Sequence, residues 1–543
     1  MFEKNSVHEM TCLSLGQDAQ GVCRCDDIVV FVPELLPGER ALVRIVKTER
    51  RFAYGKVDRR LNDSPDRQIP FCPIARRCGG CTCQHMTYDA SLAYKRQQVQ
   101  DLLERVGHVQ NQVPPVLGME TPFRYRNKGM YPVGPGKGGP VCGFFAQRTH
   151  EIIPLPEMGC QLQDEASHLV LKTVLAWMTA CHVPVYDERT HTGLIRHIMT
   201  RTTTAGRLMV VLVVTSAKLP DTAALIHALR NAVPGIETIA LSVNSKPGNT
   251  ILGQDIRVLF GPAEMSDTIL GLSFSVSPLS FFQVNPRQTE KLYQLALQYA
   301  NLNGNETCID AYCGTGTISL LLARRCKHVI GIEIVDAAIQ NARRNAEDNQ
   351  IRNAEFITGA TESVLPQLIR SGLKPDVIVL DPPRKGCDPV VLNAIQEASP
   401  ERIVYVSCSA PTLARDVEIL SRHGYSVKAI QSVDMFCWTS SIETVLLMSQ
   451  QKPDDTIHVG IDLKPEDVTV AESKATYAEL QAYIEEKYGF KVSNLYIAQA
   501  KAALGIKERE NYNKPKNPNS KKLVCPPDKM AAIQEALRHF KMI

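Results

Sequence analysis

The chain has 543 residues, of which 44% are hydrophobic and 22% charged, so it is long enough for several globular domains. Its formal net charge of +4 is mildly basic, which is compatible with a nucleic-acid partner but does not require one. No apolar run is long enough to cross a bilayer, and "MFEKNSVHEMTCLS" at the N-terminus has neither the basic nor the apolar region of a signal peptide. We therefore expect a cytoplasmic protein without a membrane segment, and we expect a monomer.

The chain contains 17 cysteines. In a reducing compartment such residues form metal or catalytic sites more often than structural disulfides. Cysteines that stand apart from any cluster are expected to be packing residues. These are Cys12, Cys142, Cys181, Cys326, Cys437 and Cys525.

The first 65 residues predict an OB-like β-barrel. Apolar and polar residues alternate in "ERALVRIVKT", and Pro37–Gly38 before it is a turn signal. Basic residues recur along this region, and they would form either an RNA-binding stripe or an ordinary solvated surface. They are Arg44, Lys47, Arg50, Arg51, Lys56, Arg59 and Arg60.

Residues 66–284 predict a central α+β domain. It begins with a cysteine-rich segment, continues with the helical spacing of "YDASLAYKRQQVQDLLERVG", and then mixes strand-like and helix-like runs. The strand-like runs include "RLMVVLVVTS", "IETIALSVN" and "ILGQDIRVLF". The segment "FRYRNKGMYPVG" is both basic and aromatic, which suits contacts with RNA phosphates and bases.

Residues 285–450 predict a Rossmann-like domain with a parallel, doubly wound sheet, because strand and helix patterns alternate there regularly. Residues 451–543 predict a small helical extension. It would consist of a linker at "QKPDDT", three helices, and a basic polar segment at "KERENYNKPKNPNSKK" before the last helix. The sequence therefore predicts four domains.

A nucleotide-type site is indicated in the third domain. In "CIDAYCGTGTISLLLA" a strand turns through Gly314 and Gly316 into a helix, and the next strand ends with Glu333, which could accept both hydroxyls of a ribose. The third glycine of the dinucleotide fingerprint is missing. Asp310 suits a cationic ligand, and "DVIVLDPPRKG" places Asp381 at a strand end, as in the substrate-side motif of methyltransferases. These features favour S-adenosylmethionine over a dinucleotide.

Cys72, Cys78 and Cys81 form a C-x5-C-x2-C cluster, with two glycines that let the chain curl round a bound group. This triad needs a fourth ligand, for which Cys83 is the local candidate. All-thiolate ligation suits a structural zinc ion or a [4Fe–4S] cluster equally. The spacing differs from the C-x3-C-x2-C triad of radical S-adenosylmethionine enzymes, so radical chemistry is not expected.

Five motifs occur in the order seen in RNA uracil-5-methyltransferases, which the chain resembles over about residues 5–450. They are "SFFQVNPRQTEKLY", "DAYCGTGTISL", "DPPRKGC", "VYVSCSAPTLARD" and "SIETVLLM". In addition, "VFVPELLPGERALVRIVK" resembles the TRAM RNA-binding barrel, and "CPIARRCGGCTCQH" resembles the iron–sulfur segment of the family's ribosomal-RNA branch. The last ninety residues resemble an extension of some bacterial members.

The resemblance implies methylation of uracil C5 in RNA, with 23S ribosomal RNA as the expected partner. Cys408 matches the nucleophile and Glu443 the general base, although Ser441–Ile442 replaces the histidine–valine pair that often precedes this base. Cys160 matches the distal ligand of the family's [4Fe–4S] cluster. The positions that match cofactor-binding residues are Gln283, Tyr312, Glu333 and Asp381. Cys313 and Cys387 lie near these motifs but match no catalytic position, so we expect them to be packing residues.

Other interpretations stay open from the sequence. Cytosine-5 methylation also uses a cysteine, but that cysteine usually follows a proline, whereas Ser407 precedes Cys408 here. A non-catalytic RNA-binding assembly factor would not need Cys408. A redox or electron-transfer protein would show reversible cluster potentials linked to a partner. Taken alone, Cys408 could be a packed thiol and Glu443 a surface residue.

Overall fold

The computed structural model describes residues 2–25, 28–147, 149–450, 477–504 and 525–540. The chain divides into two compact units, Met1–Lys452 and Pro453–Ile543. The predicted "QKPDDT" linker and the "KERENYNKPKNPNSKK" segment lie outside the described residues. None of the described helices combines the length and the apolar character needed to span a membrane. The finer boundaries of the four domains stay predictions.

The N-terminal barrel is confirmed. Five strands close in the order β1-β2-β3-β5-β4. Their alternating pattern buries Met10, Val30, Val43 and Ile45 inside the barrel. The strands are β1 (Val7–Leu15), β2 (Gly21–Cys25), β3 (Ile28–Val32), β4 (Arg40–Thr48) and β5 (Phe52–Arg60).

The predicted helix after the cysteine segment is α1 (Tyr88–Arg105). It begins where the Thr87 side chain accepts a hydrogen bond from the Ala90 backbone N–H at 3.3 Å, which satisfies one of the free donors of the first turn. Its buried residues Val99 and Leu103 belong to the same hydrophobic core as the sheet of the third domain. Helix α1 therefore packs against that domain.

The central domain is built on a seven-stranded sheet in the order β12-β11-β10-β9-β6-β7-β8. Strands β9 and β10 are buried along their whole length. The strands of this sheet are β6 (Lys128–Gly136), β7 (Gly139–Phe145), β8 (Ile152–Pro154), β9 (Ile195–Thr202), β10 (Leu208–Val214), β11 (Ile236–Val243) and β12 (Asp255–Phe260). The domain also contains the helices α2 (Glu165–Ala180) and α3 (Thr222–Ala232). A separate hairpin consists of β13 (Met265–Ile269) and β14 (Leu272–Val276). This confirms the predicted mixture of helices and strands.

The third domain has a seven-stranded sheet in the order β17-β16-β15-β18-β19-β21-β20. The strands are β15 (Thr307–Asp310), β16 (His328–Glu333), β17 (Ala354–Thr358), β18 (Val377–Leu380), β19 (Arg402–Ser407), β20 (Tyr425–Val433) and β21 (Glu443–Gln450). The helices are α4 (Pro286–Ala300), α5 (Thr317–Ala323), α6 (Asp336–Asp348), α7 (Thr361–Arg370), α8 (Pro389–Ala398) and α9 (Ala410–Ser421).

One strand departs from the parallel sheet that the sequence predicts. Strand β21 runs antiparallel to both β19 and β20. The reason is the connection: only residues 434–442 join β20 to β21, whereas a crossover between parallel strands needs about a dozen residues or more. The loop is too short for such a crossover, so β21 runs in the opposite direction to β20.

The C-terminal unit is helical, as predicted. Its described part consists of α10 (Tyr477–Tyr488), α11 (Asn494–Ala503) and α12 (Pro527–His539). The helices share a core of buried aliphatic side chains that includes Leu480, Ile497 and Ile533.

The helix that follows Cys408 should be a stability determinant. Leu413 of α9 is fully buried in the core that also contains Leu380 and Tyr405. Replacing it with alanine leaves a cavity, so Leu413→Ala should lower the free energy of unfolding by about 2–5 kcal/mol, measured by urea denaturation. Ile419→Ala on the same helix is the control, because Ile419 is only half-buried and should cost less. Equal losses would contradict the packing described here.

Candidate functional site

The candidate site lies at the carboxyl edge of the parallel strands in the third domain. Asp310 and Glu333 end β15 and β16, whereas Asp381 and Cys408 directly follow β18 and β19. These four strands are parallel neighbours, so their carboxyl ends meet at one edge of the sheet. Open α/β sheets bind their ligands at this edge.

Glu443 reaches the same edge because β21 is antiparallel. In the pairing of β19 with β21, Ser407 is opposite Thr444. Cys408 follows Ser407 and Glu443 precedes Thr444, so both residues extend from the same end of one strand pair. The structure thus brings together two residues that are 35 positions apart in the sequence.

The thiol and the carboxyl groups influence one another electrostatically. Burial, followed by the nearby carboxyl groups of Glu443 and Asp381, raises the pKa of Cys408 to about 11, whereas Arg384 opposes the rise. Glu443 is only 4% exposed, so it is not a surface residue. Burial, and then Asp381, raise the pKa of Glu443 well above its usual value. A raised pKa favours uptake of a proton by this carboxyl group.

A buried aspartate on α9 ties the Asp381 loop to the helix that follows Cys408. Asp416 Oδ2 accepts hydrogen bonds from the Tyr405 hydroxyl at 2.7 Å and from the Cys387 backbone N–H at 2.8 Å. The sequence predicted neither this role nor the charge of Arg384 in the site. The available signal was the place of Asp416 three residues after the buried Leu413, on the apolar face of α9.

The glycine turn after β15 carries an unsatisfied acid. Ser319 Oγ donates to Asp310 Oδ2 at 2.6 Å, whereas Asp310 Oδ1 is buried and has no hydrogen-bond partner among the described residues. Burial raises the pKa of Asp310 to about 6. Gly314 has a φ of +55°, and a Cβ there would meet open space. An unpaired buried acid beside an open turn suits a cationic ligand.

The remaining predicted cofactor residues surround this turn or lie beside the domain junction. Glu333 accepts hydrogen bonds from the backbone N–H groups of Gly314 at 3.3 Å and Val335 at 2.9 Å, which fixes its carboxylate against the turn. Tyr312 is half-buried, and burial followed by the neighbouring Cys387 raises its pKa. Gln283 lies before α4, where its carbonyl accepts from Asn127 Nδ2 at 3.0 Å.

Gly316 and Asp381 complete the predicted set. The φ of Gly316 is +82°, in the left-handed region that favours glycine, and a Cβ there would crowd Ala342 at 3.0 Å. Burial, followed by the charge of Asp310, raises the pKa of Asp381 to about 7. Four acids, an open glycine turn and a thiol therefore share one sheet edge, and the acids around the turn fit the sulfonium and ammonium groups of S-adenosylmethionine.

The predicted cysteine cluster is drawn together by contacts from distant segments. Burial, followed by the charges of Cys160, Cys78 and Cys72, raises the pKa of Cys81 to about 12, so these four thiols lie near one another. The Gln84 side chain accepts from the Cys72 backbone N–H at 3.2 Å, and it also hydrogen-bonds the Cys81 thiol. Sequence spacing alone could not choose Cys160, because it lies 79 positions after Cys81.

Cys83 lies apart from this group. It is fully buried beside Met86 and Tyr94, and the charged groups that act on its pKa are Lys95 and Asp434 rather than other cysteines. In the described part of the chain, no group of three or more histidine, cysteine, aspartate or glutamate side chains is arranged to hold a single metal ion.

A cleft of about 1290 Å³ lies between the barrel and the cysteine segment. Phe31 and Tyr54, whose ring centroids are 5.9 Å apart, lie on its barrel side. Its cationic lining residues are Lys56, Arg59, Arg60, Arg76 and Arg77. Aromatic rings beside cations are typical of surfaces that bind single-stranded nucleic acid.

The basic residues predicted to form a stripe on the barrel include both ion-paired and exposed side chains. Arg44, Lys47 and Arg60 form ion pairs with Asp58, Glu49 and Asp63, respectively. Lys56 and Arg59 are exposed and face the cleft. Only part of the stripe is therefore an ordinary paired surface.

Comparisons with known proteins agree with this geometry. The profile of the family described as tRNA (Uracil-5-)-methyltransferase matches residues 271–451, and that of the TRAM domain matches residues 3–57. An uncharacterized RNA methyltransferase of Halalkalibacterium halodurans is 45% identical over 447 residues, which cover 82% of this chain and 97% of the relative. One of Clostridium tetani is 44% identical over 448 residues, covering 82% of this chain and 97% of the relative.

A solved structure is also similar. The tRNA (uracil-54, C5)-methyltransferase of Pyrococcus abyssi, in complex with S-adenosyl-L-homocysteine, has a TM-score of 0.66 and 26% sequence identity, covering 81% of this chain and 100% of its own. The chain belongs to the RNA uracil-5-methyltransferase family with a TRAM domain. It is an RNA methyltransferase that depends on S-adenosylmethionine.

The mutual charge effects can be measured without catalysis. Because the Glu443 carboxylate raises the pKa of Cys408, Glu443→Gln should lower that pKa and increase the thiolate fraction at mildly alkaline pH. Carbamidomethylation of Cys408 by iodoacetamide should then be several-fold faster, as followed by mass spectrometry of the Cys408 peptide. Glu401→Gln, on the exposed opposite edge of the sheet, is the control and should leave the rate unchanged. A slower reaction in Glu443→Gln would contradict the electrostatic account.

Proposed function

We propose that the protein transfers the methyl group of S-adenosylmethionine to C5 of a uridine in RNA, and that this RNA is 23S ribosomal RNA. The observation that carries the proposal is the placing of Cys408 and Glu443 at the same end of the β19–β21 pair, beside Asp381. A nucleophile, a buried base and a cofactor turn on one sheet edge are what this reaction needs.

The first chemical requirement is activation of the pyrimidine. C5 of uracil is too weak a nucleophile to attack a methyl group unaided. The Cys408 thiolate adds to C6, and the electrons of the C5–C6 double bond then make C5 enolate-like. When bound, S-adenosylmethionine supplies an electrophilic methyl group on its sulfonium.

The second requirement is release of the enzyme. After methylation, C5 carries both the new methyl group and its original hydrogen. Glu443 removes that proton, the C–H electrons restore the C5–C6 double bond, and the Cys408 sulfur leaves as thiolate. The raised pKa of Glu443 favours proton uptake at this step. The target base must leave its stack to reach the site, as enzymes that act on bases require.

The choice of ribosomal RNA rests on the N-terminal half of the chain. The barrel, the cysteine segment and the cleft between them provide an RNA surface beyond the methyltransferase domain. The sequence resemblance associates this combination with the ribosomal-RNA branch. Transfer RNA is the rival substrate, because the solved relative acts on it.

We also propose that Cys72, Cys78, Cys81 and Cys160 bind a [4Fe–4S] cluster. The support is the grouping of these four thiols from two distant segments. When bound, the cluster would join the two segments and stabilise the RNA-facing surface; no step of methyl transfer depends on it.

The decisive test identifies the product. Purified protein is incubated with labelled S-adenosylmethionine and unmodified 23S ribosomal RNA or transfer RNA, and the digested nucleosides are identified by mass spectrometry. We expect 5-methyluridine in the 23S RNA from wild type and none from Cys408→Ala. Glu443→Gln should slow turnover by about 10²–10⁴-fold, the usual value of a general base.

Each other outcome has a definite meaning. 5-Methyluridine in transfer RNA alone would overturn the substrate but not the reaction. 5-Methylcytidine would establish the alternative cytosine-5 activity, and no methylated nucleoside would favour the non-catalytic assembly factor. Cys387→Ala is a matched control, because it removes another buried thiol near the site and should retain the activity.

The cluster proposal has a separate test. Cys160→Ser should lose the iron and sulfide that the wild-type protein retains after anaerobic purification, because one of four ligands is gone. Cys83→Ser should retain both, since Cys83 lies outside the group. Iron and sulfide content and the visible absorption spectrum are the measurements. Stoichiometric zinc, or iron lost from Cys83→Ser and kept by Cys160→Ser, would contradict the assignment.

A further inference from the structure

The loop that leads into Glu443 is anchored by a buried ion pair. The loop consists of residues 434–442, between β20 and β21. Its first residue, Asp434, accepts from Lys95 Nζ at 2.5 Å through Oδ1 and from the Tyr88 hydroxyl at 2.7 Å through Oδ2. The side chains of Lys95 and Asp434 are fully buried. Both partners come from α1, outside the methyltransferase fold.

The same loop is held along its backbone. Consecutive carbonyl groups accept hydrogen bonds from other parts of the unit, at distances of 3.0–3.2 Å. The pairs are Gln288 Nε2 with Asp434 O, Asn285 Nδ2 with Met435 O, Lys95 Nζ with Phe436 O, the Tyr125 hydroxyl with Cys437 O, and the backbone N–H groups of Thr82 and Cys83 with Trp438 O.

These contacts have a direct geometric link to the base. Glu443 is paired with Val433 across the β20–β21 hairpin, and Asp434 is the next residue after Val433. Trp438, in the middle of the loop, has a φ of +66°, which is costly for a residue with a bulky side chain. The surrounding hydrogen bonds hold it there, including one from its own Nε1 to Pro122 O at 2.8 Å.

Burial of an ion pair is a costly way to hold a loop. Taking both charges out of water offsets much of their attraction, so an apolar pair would stabilise the fold at least as well. The hydrogen bonds from Lys95 and Tyr88 to Asp434 add a directional constraint, because each donor must meet its acceptor at a defined angle. A directional anchor is appropriate where a neighbouring group must be placed accurately.

We propose that Lys95, Tyr88 and Asp434 are positioning residues for Glu443, so that α1 of the central domain sets the geometry of proton removal. This inference rests on the proposed function, in which Glu443 takes the C5 proton. None of the three residues touches the reacting atoms. Their loss should therefore impair release of the methylated RNA while leaving addition of Cys408 to C6 intact.

The test compares two tyrosine variants that each remove one hydroxyl. Tyr88→Phe removes the hydroxyl that donates to Asp434 and accepts from the Met119 backbone N–H at 3.0 Å. Tyr425→Phe deletes the bond from Tyr425 to Pro400 O at the opposite end of β20. With RNA and S-adenosylmethionine, we expect Tyr88→Phe to accumulate a denaturation-stable, methylated protein–RNA adduct, and its turnover to fall about tenfold. Tyr425→Phe should do neither.

Glu443→Gln serves as the benchmark. If it accumulates the adduct and Tyr88→Phe does not, the positioning role is wrong and the proposed function stands. If Glu443→Gln itself accumulates no adduct while wild type is active, the proposed role of Glu443 fails first. Equal loss of adduct formation and release in Tyr88→Phe would indicate general destabilisation, which also overturns the positioning role.

Trp438 reports on the loop without catalysis. The chain has two tryptophans, so Trp177→Phe leaves Trp438 as the only one. In that background Tyr88→Phe should shift the Trp438 emission towards that of a solvent-exposed indole, and Tyr425→Phe should not. Lys95→Met, which keeps an apolar stem in the buried site, should give the same shift as Tyr88→Phe. An adduct that accumulates with unchanged emission in both variants would overturn the proposal, since the loop would not have moved.

Discussion

The pairing of β21 with β19 in the antiparallel sense is the constraint on which the site depends. Because of it, the first residue of β21 lies at the edge where the parallel strands end. Strand β21 has eight residues, so a parallel orientation would move Glu443 about 25 Å away. At that distance Glu443 could not reach a nucleobase bound at Cys408. The short 434–442 loop enforces this direction. The placing of Glu443, and with it the proposed proton removal, thus depends on the length of one connection.

The carboxyl edge of the sheet in the third domain carries more acidic than basic groups. This affects the order of cofactor binding and thiol addition in the proposed reaction. Asp310, Asp381 and Glu443 all have raised pKa values, because each is buried and the acids repel one another. This environment favours a cationic cofactor and disfavours the Cys408 thiolate. A bound sulfonium would offset the carboxylates and lower the thiol pKa, so the proposed reaction is best served when the cofactor binds before the thiol reacts.

Local sequence patterns predicted most of the fold but not all of the site. The alternation in the barrel and the strand–helix repeats after residue 285 correspond to the elements observed, because periodic burial is a local property. The antiparallel direction of β21 was not predicted, because a strand pattern in the sequence does not show which way the strand runs in the sheet. Lys95 and Asp434 were also missed: they meet across 339 positions, and a single charge within a helix pattern does not reveal its partner. Cys408 and Glu443 were identified only through family motifs, and their roles remain predictions.

The proposed reaction requires a bond between the Cys408 sulfur and C6 of the target uridine. The most direct measurement uses RNA in which 5-fluorouridine replaces uridine, incubated with the protein and S-adenosylmethionine. Fluorine at C5 cannot leave as a proton, so the reaction should stop at a covalent, methylated complex. Mass spectrometry of the digested complex should place one methylated fluorouridine on Cys408. A complex on another cysteine, or no covalent complex under conditions in which unsubstituted RNA is methylated, would contradict the account.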